Sequence, residues 1–193
     1  MARYLRDISI RVSPSQKLPE GFTQKDFNVT THTVQDIFLY LIPNRFEFDN
    51  ILKLIIDINS GEKPLKNKIN FDGYVQYSFN NFDFDEYFKL TKVQQNEVIL
   101  NVLSDTISQI PNVSVENQKI AFDIIKKIKE SNFEYTFISK LSKQQRSKKH
   151  KAIVEIQIND DGQNSFLKIE NNSQEEILKL HLIKNIVYEF YNN

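Results

Sequence analysis

The chain reads as an α+β protein with a largely antiparallel sheet and about four α-helices, one of them C-terminal. Three observations predict this. Segments of strict apolar alternation occur in both halves of the 193 residues, amphipathic segments at helical spacing lie between them, and the two kinds follow no regular βαβα rhythm. No repeat and no Gly/Ser-rich or Pro-rich linker divides the chain, so residues 1–193 read as a single domain, with Pro111 the alternative place for a split.

Residues 3–12 alternate, with Tyr4, Ile8, Ile10 and Val12 on one side and Arg3, Asp7 and Arg11 on the other. That pattern is a half-buried strand in which Arg6 interrupts the apolar face. Residues 13–26 hold two prolines and a glycine and read as a loop. Residues 33–42 lean toward a buried strand ended by Pro43, although Thr33 and Asp36 would also serve to open a helix. Residues 45–59 read as a helix. Asn44 and Glu47 fit an N-terminal cap, Phe48, Ile51, Leu52, Ile55 and Ile56 recur at helical spacing, and Gly61 lies just past the end.

Ile69 and Phe71, then Val75, Tyr77 and Phe79, alternate on either side of Gly73, which predicts a bulged strand or a short hairpin. Thr91 and Gln94 frame a capping box for a helix reaching Gln109, where Pro111 stops it. A second helix covers 115–130, with Ile120, Ile124, Ile125 and Ile128 inward. The period then returns to two at Phe133, Tyr135 and Phe137 and again at Val154, Ile156 and Ile158. The "NDDG" of residues 159–162 is turn chemistry, so 152–170 reads as a hairpin. Ser173 and Glu176 frame another capping box, and Leu178, Leu182, Ile186 and Phe190, with Ile183 and Val187, make the stripe of a C-terminal helix.

Composition excludes several function classes. There is no cysteine, hence no disulfide, thiolate nucleophile or cysteine-ligated metal, which fits a cytoplasmic protein. The N-terminal residues lack the apolar run of a signal peptide, and the most apolar stretch, residues 37–43, is far too short to span a bilayer, so no membrane partner is expected. Gly21, Gly61, Gly73 and Gly162 are isolated from one another, so there is neither a phosphate-cradling loop nor a dinucleotide fingerprint, and no cofactor is expected. His32, His150 and His181 fall at no metal-ligand spacing, and no nucleophile elbow occurs. No catalytic residue and no metal ligand is assigned, and a non-enzymatic protein is the expectation.

Two charged stretches remain. Residues 140–151, "KLSKQQRSKKHK", carry six of the 25 Lys and Arg residues and no acid. Lys143, Arg146, Lys148, Lys149 and Lys151 are the candidates for phosphate or nucleic-acid contact. The residues between them are Leu, Ser, Gln and His rather than base-stacking aromatics, and the flanking alternation makes the stretch a solvated loop first. From Ile69 to Phe88, by contrast, there is no Lys or Arg. Asp72, Phe82, Asp83, Phe84, Asp85, Glu86 and Tyr87 combine acids with aromatic anchors, the ingredients of a surface that takes a basic protein. Two other readings of Asp83, Asp85 and Glu86 stand beside it, as a D-x-D metal site or as the first turn of a short helix, where the helix dipole favours anions. The expectation is a protein-binding protein, in its most concrete form a bacterial immunity or antitoxin-like protein covering a basic toxin domain. Nucleic-acid binding through 140–151 is the alternative.

Overall fold

A computed structural model describes residues 3–61, 69–139, 143–144, 149–159 and 162–185. The fold is α+β, and contacts gather in two compact units, Met1–Phe133 and Glu134–Asn193, where the sequence reads as one domain. The division falls after Phe133, not at Pro111.

The first unit opens with β1 (Asp7–Val12), continues through α1 (Gln24–Leu41), β2 (Lys53–Ile58), β3 (Ile69–Phe71) and β4 (Tyr74–Phe79), and ends with α2 (Phe84–Tyr87), α3 (Lys92–Ser108) and α4 (Val115–Glu130). Its sheet has the order β1-β2-β4-β3, with β1, β2 and β4 parallel and β3 antiparallel at one edge. Ile8, Ile10 and Val12 stand in register with Leu54, Ile56 and Ile58, which in turn face Val75, Tyr77 and Phe79. All but Phe79 are buried, and α1, α3 and α4 supply the rest of this core through residues such as Val34, Phe38, Leu103 and Ile128. The opposite face carries charge. Lys53 pairs with Asp7 at 2.5 Å, and the buried Asp57 accepts from Arg11 Nε at 2.8 Å and from Gln76.

Three expectations are corrected here. Residues 45–59 are not a helix, because Arg45, Asp49 and Asn50 adopt positive φ of 61°, 48° and 56°, and β2 follows. Ile55 and Ile56 lie on opposite faces of this central strand, so a run apolar on both sides imitated helical spacing. The strand assigned to 33–42 is the second half of α1, and the loop assigned to 13–26 ends three residues early. Thr23 and Asp26 form the capping box that starts this helix. Thr31 and Gln35 give it a tertiary purpose: Gln35 Oε1 accepts from Ile10 N at 3.1 Å and Thr31 Oγ1 donates to Ile10 O at 3.0 Å, so α1 satisfies the outer edge of β1.

The hairpin about Asp72 and Gly73, the Thr91–Gln94 capping box and the helix over 115–130 form as the spacing predicts. In the second unit β5 (Tyr135–Ile138), β6 (Lys143–Gln144), β7 (His150–Asn159), β8 (Gly162–Asn171) and β9 (Glu176–Asn185) make an antiparallel sheet of order β5-β7-β8-β9, with β6 also on β7. The antiparallel expectation therefore holds here, whereas the first sheet is mostly parallel.

The C-terminal helix does not form over 173–185. Asn171 Oδ1 accepts from Ser173 N at 2.9 Å and Glu175 N at 3.0 Å, closing a turn, and Glu176 enters β9. Leu178 and Leu182 fit a helical stripe, but Leu178 and Leu180 also alternate at a period of two, and their pairing with Ile169 and Leu167 of β8 selects the strand, which is bulged at Ile177 and Leu182. Ile186, Val187 and Phe190 lie outside the described residues.

Candidate functional site

Three parallel strands end at one edge of the first sheet, and the loops leaving them enclose a crevice of about 580 Å³. Crevices outside the carboxyl ends of parallel strands are where open α/β sheets hold ligands, because the loops diverge there. One wall is residues 16–19, which leave β1. The floor includes Ser60 after β2, and the second wall is residues 81–85 after β4.

The crevice is tied together by polar side chains. Gln16 Oε1 accepts from Ser60 N at 2.9 Å and from Ser60 Oγ at 3.1 Å, fixing the first wall to the floor. Buried Asn59 fixes the second, since its Nδ2 donates to Phe79 O at 3.3 Å and its backbone O accepts from Phe82 N at 3.0 Å. Asn81 turns the chain with a φ of 61°. Asn80 Oδ1, next to that turn, is buried with no hydrogen-bond partner, and Asn80 does not line the crevice.

The acidic stretch divides by side-chain direction. Asp83 is the N-cap of α2, its Oδ1 accepting from Glu86 N at 3.0 Å, so Asp83, Asp85 and Glu86 do occupy a helix start. All three are exposed, and Asp83 and Asp85 line the crevice, with Lys17 on the other wall. Glu86 is bound by Lys89 Nζ at 2.7 Å.

The aromatic members are core, not surface anchors. Phe82, Phe84 and Tyr87 are 6%, 4% and 2% exposed, which leaves only their edges for any partner. They surround Phe27 of α1, with ring centroids at 5.7, 5.5 and 5.2 Å, and Tyr87 hydroxyl bonds Thr30 Oγ1 at 2.5 Å. Burial pushes the Tyr87 phenol far above its ordinary pKa, more than the Thr30 hydrogen bond offsets. Phe22 and Phe88 stack at 3.9 Å beside this cluster. Their role is to hold the acidic wall in place.

Asp72 does not join this group. It turns the β3–β4 hairpin with a φ of 51° and pairs with Arg3, at the opposite end of β4. Of the basic stretch, Lys143 lies in β6, whose pairing with β7 sets Gln144 opposite Lys151 and Lys143 opposite Ala152; Lys149 and Lys151 are exposed at the start of β7, and Arg146 and Lys148 lie outside the described residues.

Sequence reading missed Gln16, Lys17, Ser60 and Asn81, which come together only through the sheet. The clue available was that "SPSQKLP", "NSG" and "NN" are the polar segments closing three apolar runs. Among the described residues no group of His, Asp or Glu has the arrangement of a metal site. No described helix is long and apolar enough to cross a membrane. Compared with protein-family models, with curated proteins and with solved structures, the chain matches none.

Proposed function

We propose that this chain is a non-enzymatic binding protein that receives a basic segment of another protein in the crevice at the carboxyl ends of β1, β2 and β4. The observation that carries the reading is that Asp83 and Asp85 are exposed on a wall that the Phe27 cluster and Asn59 hold rigid. A cationic side chain entering there meets two carboxylates, with Asn81 beside them on the same wall. Lys17 on the facing wall biases the contact toward a Lys or Arg placed near residues 83–85. An immunity-type role, with a basic toxin domain as the partner, is the concrete form of this reading.

Co-expression with the product of the neighbouring gene, followed by co-purification, tests the partner. Titration with a lysine-rich peptide tests the chemistry. Asp85→Asn, which removes no cap, is expected to weaken binding about fivefold to tenfold and to flatten its salt dependence. Binding that ignores both Asp85→Asn and salt would remove the crevice from the account. Salt-sensitive affinity for DNA or RNA, lost with Lys149→Glu and Lys151→Glu, would favour residues 140–151 instead.

A further inference from the structure

Arg11 stands on the face of the first sheet opposite the buried apolar residues, one position before the end of β1. Its side chain is 40% exposed, and that of Asp57, opposite it on β2, is 3% exposed. The contact between them uses one nitrogen of the guanidinium. Nε donates to Asp57 Oδ1 at 2.8 Å, while the other oxygen of Asp57 accepts from Gln76 of β4. Both carboxylate oxygens are thereby engaged, and the two terminal nitrogens of Arg11 make no hydrogen bond among the described residues.

Stability does not account for this arrangement. An apolar side chain at position 57 would avoid the desolvation of a carboxylate, and replacing a buried ion pair by packed apolar groups is often neutral or stabilising. What the pair does supply is a guanidinium held on a strand with its terminal edge uncommitted. Such an edge offers parallel N–H donors that match the two oxygens of an oxyanion.

We propose that Arg11 binds a carboxylate, the Asp or Glu side chain of a partner protein, and that Asp57 and Gln76 are its positioning residues. Charge decides between a carboxylate and a phosphate. The register puts Asp7, Arg11, Lys53 and Asp57 on this face, two acids and two bases, and Lys53 is already paired with Asp7. One guanidinium therefore remains to meet an anion, which suits a single negative charge. A phosphate, with its second charge, would meet no second uncommitted cation among these residues. This site is separate from the crevice, whose lining includes neither Arg11 nor Asp57, and it takes a group of the opposite charge.

Labelling of the full chain with phenylglyoxal, which condenses with the terminal nitrogens of arginine, reads this edge once the labelled peptides are mapped by mass spectrometry. Arg11 is expected to react. Acetate, the simplest carboxylate, should slow its reaction about threefold more than that of Arg45, which is exposed and has no ion pair among the described residues. Phosphate at the same ionic strength should protect Arg11 less than acetate does. Asp57→Asn adds a positive charge to the face but loosens the hold on Arg11, so protection should fall, whereas a site working by charge alone would gain. Gln76→Leu returns one Asp57 oxygen to the guanidinium and should lower both labelling and protection, which keeps the test decisive where Asp57→Asn does not fold. An Arg11 that does not label overturns the proposal, as do equal protection at Arg11 and Arg45, stronger protection by phosphate, or unchanged labelling in Gln76→Leu.

Discussion

The two sheets of this chain bury their apolar residues to different extents. In the first, Ile8, Ile10, Leu54, Ile56, Ile58 and Val75 are 3% exposed or less, because α1 and α3 pack on the sheet and α4 packs on them. In the second, among the described strand residues only Ile158, at 2%, reaches that level, with Ile153 next at 4%, and Ile138 and the leucines of β9 are half exposed. Polar groups follow the same division. The first sheet buries Asp57 between Arg11 and Gln76, while the second holds Glu155 with Lys168, Gln157 and, at 4.0 Å, Lys179. Burial raises the pKa of Glu155, but Lys168 and its neighbours outweigh this and hold the carboxyl below its ordinary range. A sheet roofed by helices draws its stability from side-chain packing. The second sheet, with more of its apolar side chains exposed, depends more on its backbone ladder and on charged networks.

That contrast can be broken most sharply at Phe27. It is fully buried and meets four aromatic rings, so Phe27→Ala should cost about 3–5 kcal/mol in denaturant unfolding. A loss below about 1 kcal/mol would show that the aromatic cluster does not hold the first unit together. Asp57→Ala comes next, at about 1.5–3 kcal/mol, since it leaves Arg11 and Gln76 without their shared acceptor.

Asp36 offers a pH-dependent test. Burial, helped by the negative charge of Asp7, raises its pKa from 3.8 to about 6. The folded state therefore holds this proton more tightly than the unfolded state. The group's contribution is complete below about pH 4 and is lost as pH rises through about 6. Asp36→Asn should gain on the parent across that window by about 1–3 kcal/mol, measured as the difference between unfolding curves at pH 4 and pH 7. His32, one turn earlier, works the other way: burial depresses its pKa, so its contribution is lost as pH falls. Comparing variant and parent at each pH separates the two, and a constant difference would contradict the burial of Asp36.

The smallest effect belongs to the second sheet. Ile138 is 58% exposed on β5, and Ile138→Ala should change stability by less than about 1 kcal/mol. A loss as large as that at Phe27 would mean that this strand is covered by something the side-chain exposure does not reveal.

Local chemistry made part of the structure legible. Capping boxes at Thr91 and the turn residues Asp72 and Gly73 act over a few bonds, so the start of α3 and the β3–β4 hairpin could be read directly. Patterns compatible with two periods were misread. The segment around Ile55 and Ile56 satisfied helical spacing while being a central strand, and Ser173 with Glu176 resembled a cap while closing a hairpin. In both cases the partner strand, β1 or β8, decides the period, and nothing local names that partner. The crevice was half visible: Asp83 and Asp85 stood out as acids, but the inward turn of Phe82, Phe84 and Tyr87 depends on Phe27, more than fifty residues away.

By itself, then, the sequence determined the absence of cysteine chemistry, the mixture of helices and strands, the caps and turns, and the separation of an acidic stretch from a basic one. Those follow from residue types and short-range hydrogen bonding. Tertiary structure alone decided that β1, β2 and β4 run parallel and that their three loops converge on one crevice. It also decided that α1 closes the edge of β1 while β9 has no strand on its outer side among the described residues. These depend on which strands pair, and pairing is settled by burial summed over residues far apart in the chain.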